Sequence, residues 1–262
     1  MTRELPIPPK PTEDRNFDDL ADKFEKSIYG GLKGRLRLLV LERDLEALPG
    51  DAPARILDAG CGTAVFSAGF AARGREVVAC DISETMLARA RETFAREAPD
   101  APVSLVCAPM QALTRAEYGG FDLILLHGVL EWMADPEAAL DHALTLLNPG
   151  GGLSLLFYNR HGLVMRSLML GNLDKVLRGY LKGWKKSLTP THPQDPAWML
   201  AWGEARGLTL IRHSGVRCFV DYACERTGHQ MTEEDVIEAE LMLGRQDPYR
   251  GIARYVHLLF KS

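Results

Sequence analysis

This 262-residue chain lacks most of the patterns that would announce a function outright. Its five cysteines, Cys61, Cys80, Cys107, Cys218 and Cys224, are scattered, odd in number and without a CxxC pair. That excludes a zinc ribbon or a disulfide framework and leaves reduced thiols. The seven histidines show neither HxxxH nor HxH spacing, so no metal site is expected. There is no Gly-x-Ser-x-Gly elbow, and Cys61 has no evident base, which removes the common hydrolase arrangements. No apolar run approaches the roughly 18 residues of a membrane span. The N-terminus shows no h-region, so the expected location is the cytoplasm. The formal charge is only −4, so no global positive field gathers nucleic acid, and any such partner must be held by a local patch.

What the chain does have is an ordinary globular composition, 46% hydrophobic and 25% charged, and one informative stretch. The apolar run Arg55-Ile56-Leu57-Asp58-Ala59 opens into Gly60-Cys61-Gly62-Thr63, and a second run, Val77-Val78-Ala79-Cys80, ends in Asp81. Strand, glycine turn, helix, strand and acid, with the acid about 20 residues on, form the first half of a nucleotide-binding βαβ unit. Glycines let the backbone approach a ligand, and a carboxylate accepts both hydroxyl protons of a ribose. The third glycine that would seat a pyrophosphate on the helix N-terminus is missing, with Val65 in its place. The loop therefore suits an adenosine ligand without phosphates, and S-adenosylmethionine is the leading candidate.

Residues 1–12 are proline-rich and expected to form a loose tail. A helical cap over 13–50 follows, with one helix capped by Asn16 and running to about Ile28, and another from Leu32 to about Leu48. From 51 to 262 strands and helices alternate. Strands are expected at Arg55–Ala59, Glu76–Cys80, Val103–Cys107, Phe121–Leu126, Gly152–Tyr158, Leu208–Phe219 and Ile252–Lys261. Helices are expected at Thr63–Arg73, Glu84–Arg96, Pro136–Leu147 and Pro196–Arg206, with a helical excursion ending near Gly244. The alternation predicts an α/β fold with a mostly parallel, doubly wound sheet. The last strand, reached by a short connection, is expected to be antiparallel. An insertion over 160–194 interrupts the pattern after the fifth strand.

In such a sheet ligands collect at the carboxyl ends of the strands near the switch in strand order. Those ends offer Asp58 to Thr63, Asp81, the Met110-Gln111 loop, His127 and Tyr158-Asn159. Asp58 is as easily a turn-former as a ligand contact, and a histidine after a strand is usually just packed; its place at the mouth of the site makes His127 a candidate. The insertion carries the one charge concentration, seven Lys or Arg between Arg160 and Lys186 against Asp174 alone. Lys175, Arg178, Lys182 and Lys185 recur at helical steps, beside Lys186, with Leu173, Val176, Leu177, Tyr180 and Trp184 on the opposite face. A solvated helix face explains that stripe more simply than a phosphate contact, which needs outside support.

Local words go further. Asp14-Arg15-Asn16-Phe17-Asp18-Asp19-Leu20, Lys33-Gly34-Arg35-Leu36-Arg37, His127-Gly128-Val129-Leu130-Glu131-Trp132, Leu156-Phe157-Tyr158-Asn159 and His161-Gly162-Leu163 are distinctive. With them the chain resembles the bacterial tRNA 5-carboxymethoxyuridine methyltransferases, a class I, Rossmann-like methyltransferase family. The resemblance implies that S-adenosylmethionine methylates the carboxylate of 5-carboxymethoxyuridine at the wobble position of the tRNA anticodon, giving 5-methoxycarbonylmethoxyuridine. It also implies that Arg37 meets the cofactor from the cap, plausibly at its carboxylate. Gly60 and Cys61 would line the cofactor, Asp81 would hold its ribose, Met110 and Gln111 its adenine, and His127 would lie beside the sulfonium. Pro109 lengthens the adenine loop, and Cys61, Thr63 and Ala64 depart from the family's Gly-Gly-Gly-Glu-Gly form.

A carboxylate with an unperturbed pKa near 4 needs no general base to attack a methyl group. Catalysis should then be positioning, for which Tyr158, Asn159 and Arg160 are candidates, with no certain catalytic residue. A methyltransferase of a small carboxylic acid or quinone precursor shares every cofactor residue and leaves the basic stripe without a role. An NAD-dependent oxidoreductase is disfavoured by the missing glycine. A non-catalytic SAM- or tRNA-binding module would bind without transferring a methyl. No protein partner is expected.

Overall fold

Strands buried on both faces read as near-continuous apolar runs, because helices cover each side of a parallel sheet. Five strands are mutually parallel here: β1 (Arg55–Ala59), β2 (Glu76–Asp81), β3 (Val103–Cys107), β4 (Phe121–His127) and β5 (Leu147–Tyr158), with β3 at the half-exposed edge. The last strand, β7 (Tyr255–Lys261), inserts antiparallel between β5 and β6 (Thr209–Val216), giving the order 3-2-1-4-5-7-6. The computed structural model describes residues 11–20, 30–48, 53–179, 188–190, 192–222 and 232–262. The order reverses between β1 and β4, and the carboxyl ends of those two strands define the crevice where a ligand is expected.

The helices are α1 (Gly31–Leu45), α2 (Val65–Ala72), α3 (Glu84–Glu97), α4 (Arg115–Tyr118), α5 (Pro136–Leu146), α6 (Arg160–Met169), α7 (Leu173–Leu177), α8 (Pro196–Ala205), α9 (Glu233–Leu243) and α10 (Tyr249–Ile252). They close two apolar layers. Leu123 and Leu125 of β4 join Leu41 of α1, Phe66 of α2 and Leu87 of α3 on one face. Ile124 and Leu126 join Leu140 of α5 and Trp202 of α8 on the other. Each fully buried side chain of this kind is worth about 1.5–3 kcal/mol, so the alternation along one strand locks both layers to the sheet. Helix starts are set by short acids and hydroxyls. Ser83 accepts from Met86 N, Asp135 from Ala138 N and Asp195 from Ala197 N, the latter two with proline next. A cap of this type contributes about 1 kcal/mol.

Several boundaries differ from the sequence expectations for stated reasons. The helix after the glycine turn starts at Val65, because Ala64 sits in the left-handed region at φ 55°. β5 begins at Leu147, paired with Phe121. Residues 148–151 then form an irregularity before Gly152 pairs with Leu123. β6 stops at Val216 because Arg217 turns the chain at φ 64°, and residues 249–252 are helical where the last strand was expected to begin. Of the helix expected from Asn16, the described part is one 3-10 turn, Asp18–Leu20, whose Asp18 N donates to Asn16 Oδ1. The two ends of the 13–50 segment do different work. Residues 14–19 lie over the crevice, whereas α1 packs across β6 and β7.

The basic insertion is not one long helix in its described part. α7 ends at Leu177, and Gly179 takes φ 69°, which stops the α-helix. Val176 is buried, but Leu173 and Leu177 are more than half exposed, so the expected packed face is broken. Lys175 and Arg178 lie on this segment, and Arg178 pairs with Asp174 four residues earlier. Tyr180, Lys182, Trp184, Lys185, Lys186 and Cys224 lie outside the described residues, as does the tail over 1–10. Among the described residues no helix is long and apolar enough to cross a membrane.

Candidate active site

The crevice is held open by main chain. Gly60 N and Cys61 N both donate to Cys80 O, at 2.8 and 3.0 Å, tying the β1 turn to the end of β2. Gly60 has φ 69°, and a Cβ there would stand 2.7 Å from Val129 Cγ2; glycine is required on both counts. Asp81 closes the arrangement, accepting from Gly62 N on Oδ2 and from Ser83 N on Oδ1, each at 2.9 Å. Both carboxylate oxygens keep a lone pair for a further donor. Burial raises the Asp81 pKa, and the two amide bonds oppose that rise.

The resulting cleft, about 670 Å³ with its open mouth, is lined by Gly60, Gly62, Asp81, Ile82 and Met86, by Pro109, Met110 and Gln111, and by His127 to Val129. Met110 and Gln111 come from a 3-10 turn after β3. Asp14, Arg15 and Phe17 cover it, pinned by Arg15 N to Trp132 O, by Ala134 N to Asp14 Oδ1, and by the edge-on contact of Phe17 with Trp132. Gly128 has φ 75°, and a Cβ there would meet nothing within 4 Å, so its backbone is open to a ligand. A ribose-sized diol beside Asp81, a flat apolar base against Met110 and a thioether chain past Gly128 fit this lining.

A smaller cavity of about 350 Å³ shares Phe17, His127, Gly128 and Trp132 and adds Arg37, Glu131, Tyr158, Leu188 and Tyr255. Its polar groups are strikingly short of partners for buried ones. Arg37 stacks on Tyr255 with its carbon 4.4 Å from the ring centre, yet Nε and Nη2 have no hydrogen-bond partner. Glu131 Oε1 accepts from Tyr158 N at 3.1 Å, while Oε2 and the Tyr158 hydroxyl are unpaired. Burial pushes the Glu131 carboxyl up to about 7 and keeps the His127 imidazole well below the usual histidine range. Arg254 lies over the Tyr158 ring at 4.8 Å, and Arg217 pairs with Asp221 behind Tyr255. Unpaired buried donors cost free energy unless something meets them, and here Arg37 and Tyr158 offer donors that a ligand could meet.

The nominated residues divide. Gly60, Asp81, Met110, Gln111 and His127 meet at the cleft, and Arg37 and Tyr158 at the cavity beside it. Asp58 does not reach the cleft. It is buried behind the turn, bonded to Ser67, and burial raises its carboxyl to about 7. Cys61 lies under the loop with its thiol toward Gly62 O, off the cleft lining, and burial raises its pKa. Asn159 is spent on structure. It caps α6 by accepting from His161 N and donates to Gly251 O and Ala253 O, so it is no longer a positioning candidate. Arg160 faces Asp195 at 3.6 Å and lines neither cavity. Glu131, Phe17 and Trp132 line the site without having been nominated. A lone acid inside the apolar word Gly128-Val129-Leu130-Glu131-Trp132 was the available signal.

The sequence profile of a methyltransferase domain matches residues 56–151. The tRNA 5-carboxymethoxyuridine methyltransferase of Escherichia coli is 41% identical over 250 residues, covering 94% of this chain and 95% of its own. A ubiquinone biosynthesis O-methyltransferase of Hahella chejuensis is 29% identical over 212 residues, 78% of this chain and 84% of its own. The solved structure of magnesium protoporphyrin IX methyltransferase from Synechocystis, with bound S-adenosylhomocysteine, superposes with a TM-score of 0.60 at 17% identity, over 94% and 95% of the two chains. At that identity the likeness is one of fold.

Proposed function

Because this chain belongs to the tRNA 5-carboxymethoxyuridine methyltransferase family, we propose that it uses S-adenosylmethionine to esterify the carboxylate of a 5-carboxymethoxyuridine at the wobble position of tRNA. The observation that carries this reading is the pairing of a cofactor-shaped cleft with an adjoining cavity whose buried arginine and tyrosine lack partners. Nicotinamide chemistry falls away with the family and the missing third glycine.

S-adenosylmethionine, when bound, supplies an electrophilic methyl group. The chain's own residues bind, orient and exclude water. Asp81 accepts the ribose hydroxyls, Met110 and Gln111 flank the adenine, and Gly60 and Gly128 let the backbone approach. Arg37 holds the carboxylate end of the cofactor from the inner cavity. Phe17 and Trp132 close the entrance against water, which strengthens each charge interaction inside. The acceptor carboxylate is ionised at neutral pH, so no residue has to take a proton. His127, kept neutral by burial, and Tyr158, whose hydroxyl is pushed above its ordinary value by burial, are positioned to orient rather than to titrate.

The methyl transfer and the tRNA substrate both rest on the family; the basic residues of the insertion support the tRNA without deciding it. A deletion strain whose tRNA loses the methyl ester by nucleoside mass analysis, restored by this gene, bears out the reading. Unchanged tRNA, with methylation of a small carboxylic acid instead, overturns it.

A further inference from the structure

A polar line runs through the otherwise apolar layer beneath α1 and ends at the cleft. Asp44 Oδ2 is 2.9 Å from His257 Nδ1, His257 Nε2 is 2.8 Å from Ser154 Oγ, and that hydroxyl is 2.8 Å from His127 Nε2. Asp44, Ser154 and His257 are fully buried. Ser154 and His257 stand opposite Leu259 and Leu156 in the β5–β7 ladder, where further leucines would pack as well. A buried polar chain is costly unless its members are satisfied, and here each link from Asp44 to His127 Nε2 is made.

Its hydrogens are ordered by charge. Asp44 Oδ1 faces the guanidiniums of Arg43 and Arg245, each at 3.3 Å, so two cations already meet this carboxylate. A neutral His257 gives this line one order of hydrogens. The neutral ring donates Nδ1–H to Asp44 and accepts at Nε2 from the Ser154 hydroxyl. Having donated to one histidine, that hydroxyl accepts from the other, so His127 carries its proton on Nε2. His127 Nδ1 bonds no described residue and is left as a bare lone pair on a ring that lines the cleft. The remaining charges near this ring are Arg37 and Glu131, which share the inner cavity with it.

We propose that Asp44, His257 and Ser154 are positioning residues that fix the tautomer of His127, so that a lone pair rather than an N–H faces the sulfonium of the methyl donor. The proposal rests on the reading of the cleft as the S-adenosylmethionine site. A lone pair attracts the positive sulfonium, and an N–H dipole repels it. The thioether by-product carries no such charge and is indifferent to the choice. The line therefore separates donor from by-product and favours their exchange after each transfer. No atom moves between molecules in this step; only the orientation of hydrogens is held.

Two measurements test it. In 15N-histidine NMR of the wild-type protein, His127 should carry its proton on Nε2. Calorimetry with S-adenosylmethionine and S-adenosylhomocysteine should show Ser154→Ala weakening the first about three- to tenfold, the effect of one lost polar contact, and leaving the second unchanged. Ser154→Thr, which keeps the hydroxyl, should restore the wild-type ratio. An Nδ1–H tautomer in the wild type overturns the proposal whether or not the alanine variant folds. An unchanged ratio in a folded Ser154→Ala protein overturns it as well. Wild-type protein that binds neither nucleoside overturns instead the reading of the cleft on which the proposal rests.

Discussion

On the β1–β2 side the site is main chain: Gly60, Gly62 and their bonds to Cys80 and Asp81 span two strand ends and one turn. On the β5–β7 side it is long side chains: Arg37 from α1, Glu131 after β4, Tyr158 and Tyr255 from antiparallel neighbours, with Arg217 and Arg254 behind them. On the first side the main chain and Asp81 are paired, and only Thr63 Oγ1 among its buried side-chain atoms is left without a partner. The second leaves donors of Arg37, Tyr158, Arg217 and Arg254 unpaired. A backbone cradle recognises the part of a ligand that every related enzyme shares, and it tolerates side-chain change. A cavity of unpaired side chains is specified by what it lacks, and it is there that the proposed reading places the choice of acceptor.

The sharpest way to break this contrast is Asp81→Ala. Two charge-assisted bonds of about 1.5–3 kcal/mol each are lost, so affinity for S-adenosylmethionine should fall at least tenfold with the fold retained. Wild-type affinity in calorimetry would mean that the backbone side does not hold the ribose.

Glu131→Gln probes the other side through pH. The folded carboxyl is raised to about 7 from an ordinary 4.5, so between those values the folded state keeps a proton that the unfolded chain has released. Stability from this group is complete below about 4.5 and is lost as pH rises through about 7. The glutamine variant should remove about 2–3 kcal/mol of that decline in urea unfolding followed from pH 5 to 8. Asp58 has the same sign and keeps a residual slope in the variant. An unaltered slope would show that Glu131 is ionised throughout.

Neutralising Lys182, Lys185 and Lys186 together should flatten the log–log salt dependence of tRNA binding by up to about two units, at roughly 0.7–0.9 per phosphate contact. Affinity for S-adenosylmethionine should not move. Equal slopes would return the stripe to a solvated surface.

Tyr158→Phe is the mildest change. Its hydroxyl has no partner in the protein, so stability should shift by less than about 1 kcal/mol. If the hydroxyl meets the acceptor, KM for tRNA should rise about three- to tenfold at unchanged affinity for the cofactor. A KM that stays put would confine acceptor recognition to the arginines.

The lining of the cleft was legible because its determinants are local. Gly60, Gly62 and Asp81 form a strand–turn–strand word whose spacing has one geometric solution, and proline after an acid marked the starts of α5 and α8. Asp58 was placed wrongly because sequence adjacency to the glycines does not say which side of the strand end faces the crevice. Asn159 was misread for a similar reason, since its partners Gly251 and Ala253 lie across the antiparallel ladder. Phe17 was seen as part of a helix, and its role over the cleft follows from contacts with Trp132, more than a hundred residues away.

By itself the sequence determined the doubly wound sheet and the glycine turn that brings Gly60 and Gly62 to the crevice, because periodicity and glycine placement are properties of short segments. Only the tertiary structure decided which charged groups lose their solvent without gaining a partner. Arg37, Glu131, Tyr158 and the line from Asp44 to His127 come from distant segments, and their burial and hydrogen-bond partners exist only once α1, β4, β5 and β7 have packed together.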